Sequence, residues 1–113
     1  MGEIKNQFEL YRERICKIDN KNIEIENLII NGIEEDDERI KKLKLDIKRL
    51  ELENRKIDNI LRLLPEKDYK VISLIYIQGK EKKKVARELD RSKRQIDYSI
   101  NKALRTISKG FIE

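Results

Sequence analysis

Apolar side chains recur at heptad spacing over much of this chain. Ile4, Phe8, Tyr11, Ile15, Ile18, Ile25 and Ile29 follow alternating steps of four and three, with Asn22 in the one missing place. Ile40, Leu43, Ile47, Leu50, Ile57, Leu61 and Leu64 do the same, with Asn54 in the gap. Such steps line one side of an α-helix, and two sustained runs argue for long helices packed as in a coiled coil. Asn22 and Asn54 stand at a-type places. Each either fixes register as a buried asparagine or sits partly exposed at a loose seam.

Between the runs lies Asn31-Gly32-Ile33-Glu34-Glu35-Asp36-Asp37. Gly32 suits a left-handed helix end, and the acidic run suits the N-terminus of the next helix. An antiparallel hairpin is therefore expected in preference to one long dimerising helix, pairing Ile29 with Leu43 and Ile15 with Ile57. Asn22 to Glu26 also alternates as a strand would. Leu45 and Leu52 fall off the main seam, a second stripe expected to pack on the C-terminal half or on another chain.

Composition narrows the function classes. Charged residues make up 43% and aromatic residues 5%, which with the Ile/Leu periodicity reads as all-helical. Cys16 has no partner for a disulfide, and the absence of histidine removes the usual zinc ligand sets and any Ser-His-Asp or Cys-His centre. No cofactor and no enzymatic activity are expected. No apolar run reaches membrane-spanning length and no signal-like segment opens the chain, so a cytoplasmic protein without a membrane partner is expected. Residues 1–64 carry 14 Lys/Arg and 15 Asp/Glu, net −1, whereas residues 65–113 carry 13 and 7, net +6. The basic excess thus lies wholly in the C-terminal part, which points there to a polyanionic partner.

Pro65 marks the change between the halves, because proline disfavours helical geometry in the residue before it and suits a helix's first turn. The helix it begins buries Val71, Ile72, Leu74 and Ile75 and ends at Gln78-Gly79. Val85, Ala86 and Leu89 then form one face of a short helix. Asp90-Arg91 makes a turn, with Asp tolerant of the left-handed region. Ser92 is an N-cap, and Gln95 completes a capping box. The last helix buries Ile96, Ile100, Ala103, Leu104 and Ile107. A short helix, a tight turn and a longer helix form the helix-turn-helix plan. The expected fold class is all-α. A heptad-patterned helical hairpin or coiled coil over residues 1–63 precedes a helix-turn-helix domain over residues 64–113.

The residues Leu64-Pro65, Val71-Ile72, Tyr76, Gly79, Val85-Ala86, Leu89, Ser92, Ile96 and Ala103-Leu104 carry a family resemblance. Residues 64–109 resemble region 4 of sigma-70-type sigma factors, and "ARELDRSKRQIDYSINKALRTI" looks most like the sporulation and competence type. The resemblance implies binding of the upstream promoter element and contact with the RNA polymerase flap. Glu81 stands where the family often has Ser or Thr, and Arg91 where an apolar residue is common. Residues 1–63 do not resemble the region that melts promoter DNA, so a complete sigma factor is not expected. Small phage and mobile-element regulators of the ArpU-like type pair a helical segment with such a module, and they are the nearest resemblance.

With its apolar residues inward, the last helix turns Lys93, Arg94, Asp97, Tyr98 and Asn101 outward. Arg and Asn can read guanine and adenine edges bidentately, while lysines mostly meet phosphate. Lys93, Arg94, Gln95, Tyr98 and Asn101 are the expected base contacts. Lys82, Lys83, Lys84, Arg91, Ser92 and Arg105 are the expected phosphate contacts, although capping alone accounts for Ser92 and Gln95. The expected function is sequence-specific double-stranded DNA binding in transcriptional regulation, with assembly into a homodimer or higher oligomer through residues 1–63. The rivals are a phage DNA-packaging recognition subunit and an adaptor that binds RNA polymerase or a sigma factor without reading DNA.

Overall fold

The structure, a computed structural model, describes the backbone of residues 2–112 and the side chains of residues 6–109. Ile4, expected on the first seam, lies outside the described side chains. All regular structure among the described residues is helical: α1 (Gly2–Ile30), α2 (Glu38–Leu61), α3 (Glu66–Ile72), α4 (Lys82–Glu88) and α5 (Lys93–Ile112). The stretch Asn22 to Glu26 is helical, because the heptad apolar face of α1 continues through it. No helix is long and apolar enough to cross a membrane among the described residues.

The hairpin forms as its turn chemistry requires. Gly32 takes φ +89°, the Ile33 N–H reaches the Leu28 carbonyl at 3.0 Å, and the Gly32 N–H reaches that of Ile29 at 3.0 Å. This is a Schellman closure, and its usual apolar contact is present in Leu28 and Ile33, both packed on the same small cluster. Asp37 then caps α2, its carboxylate accepting from the Arg39 N–H at 2.9 Å. That carboxylate is held below its ordinary pKa by its hydrogen bonds with the Arg39 side chain and backbone.

Polar contacts set the register of the hairpin. Asn54 is buried; its amide donates to the Tyr11 carbonyl at 3.2 Å, and its oxygen accepts from Arg14 Nη1 at 3.3 Å. One turn on, the Tyr11 hydroxyl donates to Asp58 at 2.6 Å. Burial, and then the hydrogen bond to the Asp58 carboxylate, hold the Tyr11 phenol well above its usual range. Of the two seam asparagines, Asn54 is the buried one and Asn22 is exposed. The expected pairings of Ile29 with Leu43 and Ile15 with Ile57 are not the core of the hairpin. Ile15 and Ile29 are 45% and 41% exposed, and Tyr11 with Asp58 and Lys21 with Asp46 face each other instead. In the observed register the buried Asn54 amide is satisfied, which avoids a penalty of about 1–3 kcal/mol for an unpaired buried group.

The α3 helix begins at Glu66 directly after Pro65, then widens: the Gln78 N–H bonds the Ser73 carbonyl, five residues back, at 2.9 Å. Gly79 ends this π-type turn at φ +73°, where a Cβ would stand 3.0 Å from Arg12 Nη1. The widened turn, Ser73–Ile77, carries Tyr76, whose ring stacks on Phe8 at a centroid distance of 5.2 Å. Phe8 is 1% exposed and belongs to one cluster with Ile57, Leu61, Val71, Ile72, Val85, Ile96 and Ile107. The division expected at residue 64 is therefore not a division of the packing, because the hairpin's open end completes the core of the C-terminal helices. Leu45 and Leu52 are 52% and 44% exposed, so the second stripe does not pack on the C-terminal half.

Removing the Phe8 ring tests this shared core. Phe8→Ala should lower stability by about 3–5 kcal/mol, with circular dichroism and tyrosine fluorescence reporting a single urea transition. Two separated transitions would show that the halves unfold independently.

Candidate nucleic-acid interface

The turn between α4 and α5 is built entirely from local chemistry. Asp90 adopts φ +51°, the Arg91 N–H bonds the Ala86 carbonyl at 2.9 Å, and the Asp90 N–H bonds that of Arg87 at 3.2 Å. This is again a Schellman closure, with Asp where glycine is usual. The chain re-enters helix through the expected capping box. The Gln95 N–H donates to Ser92 Oγ at 3.1 Å, and the Ser92 N–H donates to Gln95 Oε1 at 2.9 Å.

Ile96, Ile100, Ala103, Leu104 and Ile107 are all buried, as the phase of α5 requires. The opposite face then carries Lys93, Arg94, Tyr98 and Asn101, all exposed, with Tyr98 at 65%. Lys82, Lys83 and Lys84 occupy the first turn of α4 and are exposed as well. A salt bridge from Lys82 to Asp97 at 3.0 Å places the start of α4 beside the outer face of α5. Tyr76 lies close to that pair. Burial raises its phenol above the ordinary value, with Lys82 opposing and Asp97 adding to the shift.

Although Glu81 stands at the N-cap of α4 without a side-chain capping bond, the first turns of α4 and α5 contain cations and no acidic residue. This runs against the helix macrodipole, which favours anionic side chains there by about 0.3–1 kcal/mol each. Such an arrangement sacrifices local stability and concentrates positive potential where both helix starts face solvent.

Arg91 is placed differently from the other expected phosphate contacts. Its Nη2 donates to Ser99 Oγ at 2.7 Å and to the Gln95 carbonyl at 3.0 Å, while its Nε and Nη1 are buried without a partner. The guanidinium thus turns inward and ties the turn to α5. Residue 91 is the second residue past the α4 cap, which in a Schellman closure normally packs back on the helix as an apolar residue. That rule, applied to Arg91, was the available signal. Ser99, 2% exposed, was not legible as its acceptor from spacing alone. Ser92 and Gln95 are engaged in capping, and Arg105 Nε donates to the Asn101 carbonyl at 3.4 Å. Lys102 approaches the buried carboxylate of Asp68 at 3.8 Å, an α3–α5 contact absent from the sequence reading.

No protein-family model, curated protein or solved structure matches this chain.

Ser92→Ala removes one half of the capping box and should cost about 1 kcal/mol in chemical denaturation. Asp90→Gly relieves the left-handed residue and should raise stability slightly. Destabilisation by Asp90→Gly would show that the aspartate side chain contributes more than its backbone conformation costs.

Proposed function

We propose that this chain is a sequence-specific, double-stranded-DNA-binding transcriptional regulator in which α4, the Asp90 turn and α5 work as a helix-turn-helix of the sigma region 4 type. The observation that carries the reading is the exposed face of Lys93, Arg94, Tyr98 and Asn101 on α5, with Lys82, Lys83 and Lys84 brought alongside it. The net charge of +6 over residues 65–113 supports a polyanionic partner. A rigid, reciprocally capped turn supports a role in holding a reading helix at a fixed angle.

In this reading Arg94 pairs bidentately with a guanine edge and Asn101 with an adenine edge. Tyr98 meets bases through its exposed ring, and Lys93 is shared between base and phosphate. Gln95 uses its oxygen on the cap and keeps its NH₂ group to donate. Lys83, Lys84 and Arg105 hold phosphates, and Lys82 does so from its pair with Asp97. Arg91 acts at one remove, positioning the start of α5 through Gln95 and Ser99. The resemblance to sigma region 4 extends the proposal to RNA polymerase as a protein partner and to action in the cytoplasm, with no catalytic role.

The test uses the full chain, duplexes selected from a random pool, and fluorescence anisotropy across a salt series. Arg94→Ala should narrow the gap between selected and random duplexes by about 1–3 kcal/mol. Lys83→Ala should weaken all duplexes alike and lower the salt slope by about one. Absence of salt-dependent duplex binding by the native chain would refute the reading.

A further inference from the structure

The hairpin leaves an apolar stripe uncovered on each of its helices, and both point away from its interior. Ile23 stands two residues before buried Ile25, Leu45 two before buried Ile47, and Leu52 two before buried Asn54. Two residues turn an α-helix by about 200°, so each faces roughly opposite the seam. Ile30, seven residues beyond Ile23, is 80% exposed and extends the α1 stripe. Leu45 and Leu52 are likewise seven apart. Residues seven apart lie nearly in line along a helix, so each pair forms one apolar strip on the outer side of its helix.

Charge decides what covers them. Residues 19–38 carry eight Asp/Glu and one Lys, net −7, whereas residues 39–56 carry eight Lys/Arg and three Asp/Glu, net +5. At the turn two pairs join these segments, Asp37 with Arg39 at 3.0 Å and Glu38 with Lys41 at 3.8 Å. Along the facing lengths of α1 and α2 the excesses do not meet among the described residues. The one α1–α2 salt bridge among the described residues, Lys21 to Asp46 at 3.7 Å, joins the minority charge of each segment. Asp19 and Glu26 lie along the α1 stripe, four residues before Ile23 and three after it. Lys48 and Arg55 lie along the α2 stripe, each three residues after a leucine. All four are exposed, and none forms a salt bridge among the described residues.

We infer that the two stripes pair between copies of this chain, the Ile23–Ile30 stripe of α1 with Asp19 and Glu26 lying against the Leu45–Leu52 stripe of α2 with Lys48 and Arg55 on a second copy. Contact of like stripes would set acid against acid or base against base; contact of unlike stripes buries both apolar rows and opposes opposite charges. Because the two stripes face outward on opposite sides of the hairpin, a single partner copy cannot cover both. Each contact leaves one free face at each end, so the assembly grows past a dimer until it closes as a ring or extends as a filament. Each added copy brings another basic α4–α5 surface, which would multiply weak contacts to one ligand. The inference does not depend on the DNA reading and is tested without nucleic acid.

The experiment is sedimentation of the full chain at tens of micromolar. The native chain should exceed the mass of a dimer. Asp19→Lys with Glu26→Lys gives two basic stripes, and Lys48→Glu with Arg55→Glu gives two acidic ones. Each double variant should sediment as a monomer with an unchanged helical circular dichroism spectrum. Mixed in equal amounts, the two should reassemble to a mass above a dimer. A native monomer, a discrete dimer with no larger species, a mixture that stays monomeric, or assembly only on addition of duplex DNA overturns the inference.

Discussion

The ring of Phe8 sits where the open end of the hairpin meets the widened turn after α3 and the buried face of α5, and much of the geometry depends on its burial there. Its stacking on Tyr76 joins an N-terminal residue to the segment that leads into α4. Without that contact the C-terminal helices would lack one wall of their core, since Ile57 and Leu61 come from the hairpin as well. A small chain gains from this arrangement, because pooling apolar surface from all its helices raises the fraction buried. The orientation of the hairpin relative to the basic surface is fixed by the same packing.

Local polar chemistry does a different job at the α4–α5 turn. The left-handed Asp90, the reciprocal Ser92–Gln95 cap and the inward Arg91 define the angle between the two helices through short-range contacts. These contacts leave the outward face of α5 free of structural duties, apart from the Lys82–Asp97 pair. The cations in the first turns of both helices run against the macrodipole, so helix stability alone does not favour them there.

The hairpin shows where heptad reasoning stops. A seven-residue repeat remains in phase when one helix slides by whole turns, so several registers bury similar apolar area. The choice among them falls to groups that tolerate few partners. Asn54 meets the Tyr11 carbonyl and Arg14, and Tyr11 meets Asp58, in only one of those registers. In that register Ile15 and Ile29, which the repeat alone would place inside, lie at the surface.

Several features were fully legible from residue order, because their causes lie within a few residues of each other. They include the all-helical class, the Gly32 turn, the helix start after Pro65, the left-handed Asp90, the capping box and the buried phase of α5. Spacing also marked Lys93, Arg94, Tyr98 and Asn101 as one outward face. Only the tertiary structure decided the hairpin register, the inward course of Arg91 to Ser99, the Lys82–Asp97 pair and the docking of Phe8 on Tyr76. Each of these joins residues through space, and the free energy that selects it comes from burial and hydrogen-bond satisfaction, which no local pattern records.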